Sequence, residues 1–315
     1  MMNVVGTEQG SVKGIITDIQ RFSVNDGPGI RTVVFMKGCP LHCLWCQNPE
    51  TQKKEIEIAY FSENCIKCGS CIQACGKNAL TLKNDRIVRD KKRCIECGAC
   101  VCACKYNSMK FFGKMTTDSE VAEVLLRDKV FYQKSGGGIT LSGGEPLLQS
   151  TFSISILEKM QKEKINTAIE TSGFSKWDEF LKVLEKTDLL LFDLKHTNEE
   201  VHNKFTGVSN KLIIENLYKA VRTGVKTVMR VPLIPKYNMN RDNITNLIEI
   251  ANANGIKYIH ILPFHQMGRP KWKAVDMSYA CDDLLPPTEE NIEAIEKQFK
   301  DNGLIVNIGG YGSYP

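Results

Sequence analysis

Thiols dominate the chemistry this chain could perform. Eleven of its thirteen cysteines stand in three spaced sets. Cys39, Cys43 and Cys46 follow C-x3-C-x2-C; Cys65, Cys68, Cys71 and Cys75, and again Cys94, Cys97, Cys100 and Cys104, follow C-x2-C-x2-C-x3-C. Thiols this close cannot easily reach distant partners, and an odd count in 315 residues argues against a disulfide scaffold. Metal is the better reading. Tetrahedral zinc and a four-iron cube each want four ligands. The first set is therefore one ligand short, while the other two are complete.

The complete sets form an internal repeat. CIKCGSCIQACGKNAL (65–80) aligns with CIECGACVCACKYNSM (94–109) without a gap, at an offset of 29 residues. Two copies suit a pseudo-symmetric small domain rather than a solenoid. In two-cluster ferredoxins the fourth cysteine of each run ligates the other cluster. That rule places Cys65, Cys68, Cys71 and Cys104 on one cube, and Cys94, Cys97, Cys100 and Cys75 on the other. A pair of zinc sites is the alternative, although zinc usually takes separated C-x2-C knuckles. Gly76 and Lys105 stand where such ferredoxins usually have proline. The extra Cys102 leaves a swap with Cys104 open, and Cys281 receives no role.

The elements that must hold these groups alternate. Two extended stretches, GIITDIQRF and IRTVVFMKG, flank the turn-rich Asn25–Gly29. Residues 60–112 are cysteine-rich, with only short apolar runs. Beyond them the pattern gives helix 117–132 with a Thr117 or Asp118 cap, a strand at 138–141, helix 150–163, strand 165–169, helix 176–186 and strand 188–194. Helix 210–223, strand 225–231, helix 242–254, strand 256–262, helix 288–302 and strand 304–308 complete it. Strands alternating with helices imply βαβ units and a parallel sheet, with about six units here. The expected organisation is a parallel α/β unit started by residues 1–59, interrupted by an insert over 60–112 and completed by 113–315. Ligands in such folds sit at the C-terminal strand ends. Those ends carry Gly143, Gly144 and Glu145, then Glu170, then Asp193 and Lys195, then Arg230, then His265. Asp193 and Lys195, two apart, share a face if extended.

Order and spacing add a resemblance. DGPGIRTVVFMKGCPLHCLWCQNPE, SGGEP, ETSG, DLK, FTGVSN, MRVPLIP and LPFHQMGRPKW, over residues 14–310, resemble the glycyl radical enzyme activating enzymes of the radical S-adenosylmethionine (SAM) family, in the longer form with two ferredoxin-like clusters. The resemblance implies a partial (β/α)6 barrel with a ferredoxin-like insert and three [4Fe–4S] clusters. Cys39, Cys43 and Cys46 would hold the cube whose fourth iron binds SAM; reductive cleavage would give a 5′-deoxyadenosyl radical that takes a Cα hydrogen from a glycine of a partner enzyme. It further implies that Trp45 and Gln47 contact the adenosyl part and that Gly143, Gly144 and Glu145 lie at the methionine end. Asp193 and Lys195 would orient the charged groups, with Arg230 a candidate for the carboxylate and His265 a further SAM contact. Glu170 stands where the pyruvate formate-lyase activator has Asp near a monovalent cation, and such a cation is left open here. Asp26 would face the backbone of the incoming glycine loop. A radical SAM enzyme acting on a small molecule is the alternative function.

The remaining totals exclude other classes. A net charge of +5, from 41 basic and 36 acidic residues, comes without a Lys/Arg block, so neither nucleic acid nor membrane is expected as a partner. Apolar runs such as Leu189–Phe192 are too short to span a bilayer. MMNVVGTEQGSVKG lacks the pattern of a signal peptide. The expected setting is the cytoplasm, with flavodoxin or ferredoxin as electron donor.

Overall fold

The computed structural model describes residues 10–310 and 312–315; most of the stretch inspected for a signal peptide lies outside them. Its main element is a nine-stranded sheet. From one edge the order is Ile305–Ile308, Tyr258–Pro263, Lys226–Leu233, Leu189–Asp193, Asn166–Thr171, Gly138–Gly143, Arg31–Met36, Lys13–Ser23 and Lys114–Thr117. The strands from Arg31–Met36 to Ile305–Ile308 are all parallel to their neighbours, while Lys13–Ser23 pairs antiparallel on both sides. Neighbours in the parallel part follow chain order, as right-handed βαβ crossovers produce.

Side chains alternate across this sheet. One face sends Met36, Leu141, Ile169, Phe192, Met229 and Ile261 into a core shared with Leu125, Ile156, Phe180, Leu217 and Leu247 of the covering helices. The other face carries a smaller cluster of Ala168, Leu189, Leu191 and Val228, with Tyr258 and Tyr314 packed against it. Leu189–Phe192 is buried throughout because both faces are covered, which explains its unbroken apolar run.

The expected helix 117–132 is two helices, Asp118–Leu126 and Lys129–Ser135. Thr117 caps the first in a capping box with Glu120. The break falls at Asp128, whose buried carboxylate accepts hydrogen bonds from the Arg21 guanidinium (Nε, 2.8 Å) and the Thr32 hydroxyl (2.9 Å). Helices Glu199–Thr206 and Arg269–Ala274 and strand Lys114–Thr117 were not expected from the sequence.

Within 60–112 the repeat is also a repeat of backbone. Short helices Ser70–Gln73 and Ala99–Ala103 each start after a glycine with φ of 78°, and Lys67 and Glu96, 29 positions apart, both adopt positive φ. A hairpin, Leu80–Lys83 with Arg86–Arg89, lies between the copies. Strand Glu57–Tyr60 pairs antiparallel with Met109–Phe112, so both ends of the segment leave the barrel side by side.

Candidate active site

Residues from six of the seven sequence motifs line one cavity of about 340 Å³ at the C-terminal strand ends. Among them are Asp26, Cys39, Cys43, Trp45, Cys46, Gln47, Gly143, Gly144, Glu145, Glu170, Asp193, Lys195, Arg230 and His265. Every barrel residue singled out in the sequence is there.

The cysteine loop leaves strand Arg31–Met36 and is held by main chain from three directions. Gly38 and Cys39 donate to the carbonyls of Thr51 (2.6 Å) and Gln52 (3.0 Å). His42 and Leu44 donate to Thr206 (2.7 Å) and Phe205 (3.1 Å) of the FTGVSN segment. The Trp272 indole donates to the Cys46 carbonyl at 2.8 Å. Burial pushes all three thiols up, Cys43 to about 12, and charge on a neighbouring thiol adds to the effect at Cys39 and Cys43. Such thiols ionise only against a compensating cation. Among the described residues no three metal-binding side chains converge as ligands of one ion would; ligands to three different irons have no need to.

Gly143 and Gly144 let two protein backbones meet. Gly143 has φ of 108°, and a Cβ on it would lie 2.3 Å from the Met36 nitrogen; one on Gly144 would lie 2.2 Å from the Gly38 oxygen. SGGEP is thereby pressed against the start of the cysteine loop. Glu145 next to it is fully buried and saturated. Its carboxylate accepts from the Leu147 N–H (3.2 Å), the Thr171 hydroxyl (2.5 Å), and the Ser172 N–H (3.0 Å) and hydroxyl (2.6 Å). Glu145 is thus a tie between SGGEP and ETSG. Gln47 is a tie as well: its amide donates to the carbonyls of Trp45 (3.2 Å) and His265 (2.7 Å) and accepts from the Gly268 N–H (2.9 Å).

A nearly dry ion cluster occupies the cavity wall. Asp193 and Arg230 are paired in the parallel ladder, and Glu170 is level with Leu191, so all three side chains share a face. Lys195 Nζ stands 2.9 Å from Asp193, and Arg230 reaches Glu170 at 2.5 Å and Asp193 at 3.4 Å. Burial opposes charge on all four. Lys195 and Arg230 nevertheless hold Asp193 below the usual carboxylate range, and the carboxylates raise both cations; burial leaves Glu170 raised.

The DGPGIR loop adjoins this wall, with the Asp26 carboxylate close enough to Glu170 and Arg230 to act on both. Arg31, fully buried, donates to Thr140 Oγ1 (2.7 Å), Asn166 Oδ1 (3.0 Å) and the Pro28 carbonyl (3.4 Å), and burial lowers its pKa to about 10. Thr140 donates to the Asp26 carbonyl at 2.6 Å, and the Asp26 carboxylate accepts from the Ser23 hydroxyl. Arg31 was not picked out from the sequence, nor were Trp272 and Lys271, whose Nζ binds Asn48 (2.8 Å) and Glu50 (2.6 Å). Their signal lay in motif strings quoted without assigning these members.

In the insert, Cys65, Cys68, Cys71 and Cys104 line a second, small cavity of about 20 Å³. Cys100 is buried near Cys94, and Cys75 packs in the same apolar cluster as Cys100. Cys102 is exposed.

A parallel-dominated α/β sheet with a three-thiol loop at its strand ends is the arrangement of radical SAM proteins. The Radical SAM superfamily matches residues 96–248, and a 4Fe-4S single cluster domain matches residues 25–83. Streptococcus suis SuiB bound to its precursor peptide SuiA shares the fold, with a TM-score of 0.54 at 14% identity over 90% of this chain and 48% of that one. The isethionate sulfite-lyase activating enzyme of Nitratidesulfovibrio vulgaris is 37% identical over 92% of this chain and 97% of its own length. The trans-4-hydroxy-L-proline dehydratase activating enzyme of Clostridioides difficile is 37% identical over 94% and 99%, and the 4-hydroxyphenylacetate decarboxylase activating enzyme of Clostridium scatologenes 39% over 94% and 97%. The chain belongs to this family, the radical SAM activating enzymes of glycyl radical enzymes, and uses an iron–sulfur cluster and SAM. No helix among the described residues is long and apolar enough to cross a membrane.

Proposed function

We propose that this oxidoreductase removes one Cα hydrogen from a glycine of a partner lyase, dehydratase or decarboxylase of the glycyl radical class. The observation that carries this is that three thiols and Asp26 of DGPGIR line one cavity. The residues fit a cube with one open iron and SAM: three thiols, and the largely buried charges of Asp193, Lys195 and Arg230, line the same cavity. When bound, the cube and SAM supply the electron and the hydrogen-abstracting radical. Cys39, Cys43 and Cys46 would hold the cube. Asp193 would face the cationic groups of SAM, Lys195 and Arg230 its carboxylate, and Trp45 and His265 its adenosyl part. Gln47 and Glu145 would act as positioning residues. Asp26 would orient the glycine loop by its backbone, as suits a residue with no side chain. Glu170 is engaged by Arg230, and no monovalent cation is proposed there.

The sheet is best read as a partial (β/α)6 barrel, and residues 60–112 as a ferredoxin-like insert with two further [4Fe–4S] clusters, three in all. The grouping of Cys104, and not Cys102, with Cys65, Cys68 and Cys71 around one cavity supports crossed ligation with Cys104 as the ligand. The insert would relay electrons from flavodoxin or ferredoxin. Anaerobic incubation with SAM, reductant and the partner should give the doublet of a glycyl radical in electron paramagnetic resonance. SAM consumption with no such signal from any glycyl radical enzyme would point instead to a small-molecule substrate.

A further inference from the structure

The charge of this chain is not spread along it. Residues 60–112 hold ten lysines and arginines against four acids, and the rest holds 31 against 32. The whole excess sits in the insert. Thiolate-bound cubes are anionic, so part of it serves inward. Lys83 and Arg86 do not fit that role. They stand directly opposite each other across the hairpin, both exposed, with no carboxylate partner among the described residues. Like charges so placed are destabilising, and nothing local compensates. Exposed Val88 shares their face of the hairpin, while Leu80 and Ile87 turn inward onto the cysteines. An ion pair of 2.9 Å, Asp85 to Lys67, fastens the tip to the first cysteine loop, where Ile66 and Cys68 are also exposed.

The other end of the hairpin points to the barrel. Arg89 pairs with Glu96, between Cys94 and Cys97, at 3.8 Å and with Asp276 at 3.6 Å. Lys91 donates to the Asp276 carbonyl at 3.3 Å. Asp276 lies four residues beyond Trp272, the donor to the Cys46 carbonyl. The hairpin is therefore fastened at its Arg89 end both to Glu96 of the second repeat and to the segment after Trp272, and at its tip to Lys67 of the first repeat.

We propose that the face formed by Lys83, Arg86 and Val88 docks an acidic one-electron carrier protein, and that electrons enter by the first repeat and leave by the second toward Cys46. This rests on the two-cluster reading of the insert. One electron leaves the carrier for each SAM cleaved, with no proton required along the route.

The test uses holoenzyme whose iron content corresponds to three cubes, with an acidic flavodoxin as probe. Titration calorimetry should show the K83E/R86E variant binding about tenfold or more weaker, with less dependence on salt, while dithionite reduces its clusters as in the parent. Unchanged affinity overturns the docking face, and an equal loss with dithionite shows that the charges serve only the cubes. Asp276→Ala should leave reduction of the insert clusters by flavodoxin intact and slow that of the SAM-binding cube about tenfold, followed by rapid-freeze resonance. Equal rates at both overturn the order. An iron content of one cube overturns the two-cluster reading itself, independently of any binding result.

Discussion

The cysteine loop at residues 39–46 and the insert at 60–112 use the same side chain under different conditions. In the loop all three thiols are raised by burial and line a cavity large enough for a cofactor. In the insert the thiols are divided: burial raises Cys71 and takes Cys100 to about 11, while exposed Cys68 is held low by the Ser70 hydroxyl and Cys104, despite some burial, by the N–H groups of Met109, Tyr106 and Ser108. The supports differ too. The loop is tied by distant segments around Thr51, Thr206 and Trp272, whereas the insert repeats its own local backbone. A cube short of one ligand needs the rest of the barrel to complete it. A cube with four needs mainly its own loop.

The largest test of this contrast is Cys43→Ala. It should abolish SAM cleavage and remove roughly a third of the iron, the share of one cube in three, while the resonance signals of the insert persist. Loss of all iron would show that the two regions do not assemble separately. Next is Asp193→Asn, which leaves Lys195 and Arg230 buried beside a neutral amide. SAM affinity, measured by equilibrium binding, should fall on the order of 10- to 100-fold, since an unpaired buried charge costs several kcal/mol. Equal binding would place SAM's charged groups elsewhere.

Acid should loosen the barrel before the insert, because all five histidines lie outside 60–112. His202 and His260 are buried, and burial lowers each to about 4. Below the ordinary value near 6.5 the unfolded chain binds protons that the folded one refuses, so stability falls as pH drops toward 4. Between pH 7 and 5 the loss should be about 2 kcal/mol per histidine. The three tryptophans are also all in the barrel, so anaerobic unfolding followed by their fluorescence reads this directly. A midpoint independent of pH in that range would contradict the burial of these imidazoles. The smallest effect is expected from Cys102→Ser, which should keep full iron content, whereas Cys104→Ser should lower it. The reverse result would exchange their roles.

Much of this was legible in the chain. The three cysteine sets, the repeat and the strand-end motifs are local signals, and six of the expected helices overlap observed ones because their apolar spacing is regular. The misses have physical causes. Asp128 breaks an otherwise continuous helical pattern because Arg21 and Thr32, distant in sequence, claim its carboxylate. Arg269–Ala274 is too short, at six residues, to show a period. Glu145 and Gln47 were expected at SAM, and both line the cavity, yet their polar atoms are taken by neighbouring loops.

The sequence by itself determined the chemistry: which thiols could bind metal, that one set lacked a fourth, and which charged residues end the strands. Ligand type and spacing are covalent facts along the chain. Only the tertiary structure decided that Arg230 closes on Glu170 and Asp193, that Arg31 props the Asp26 loop, and that the hairpin between the repeats is latched to Asp276 of the barrel. These depend on which strand lies beside which and on how burial turns an ordinary charge into one that must find a partner.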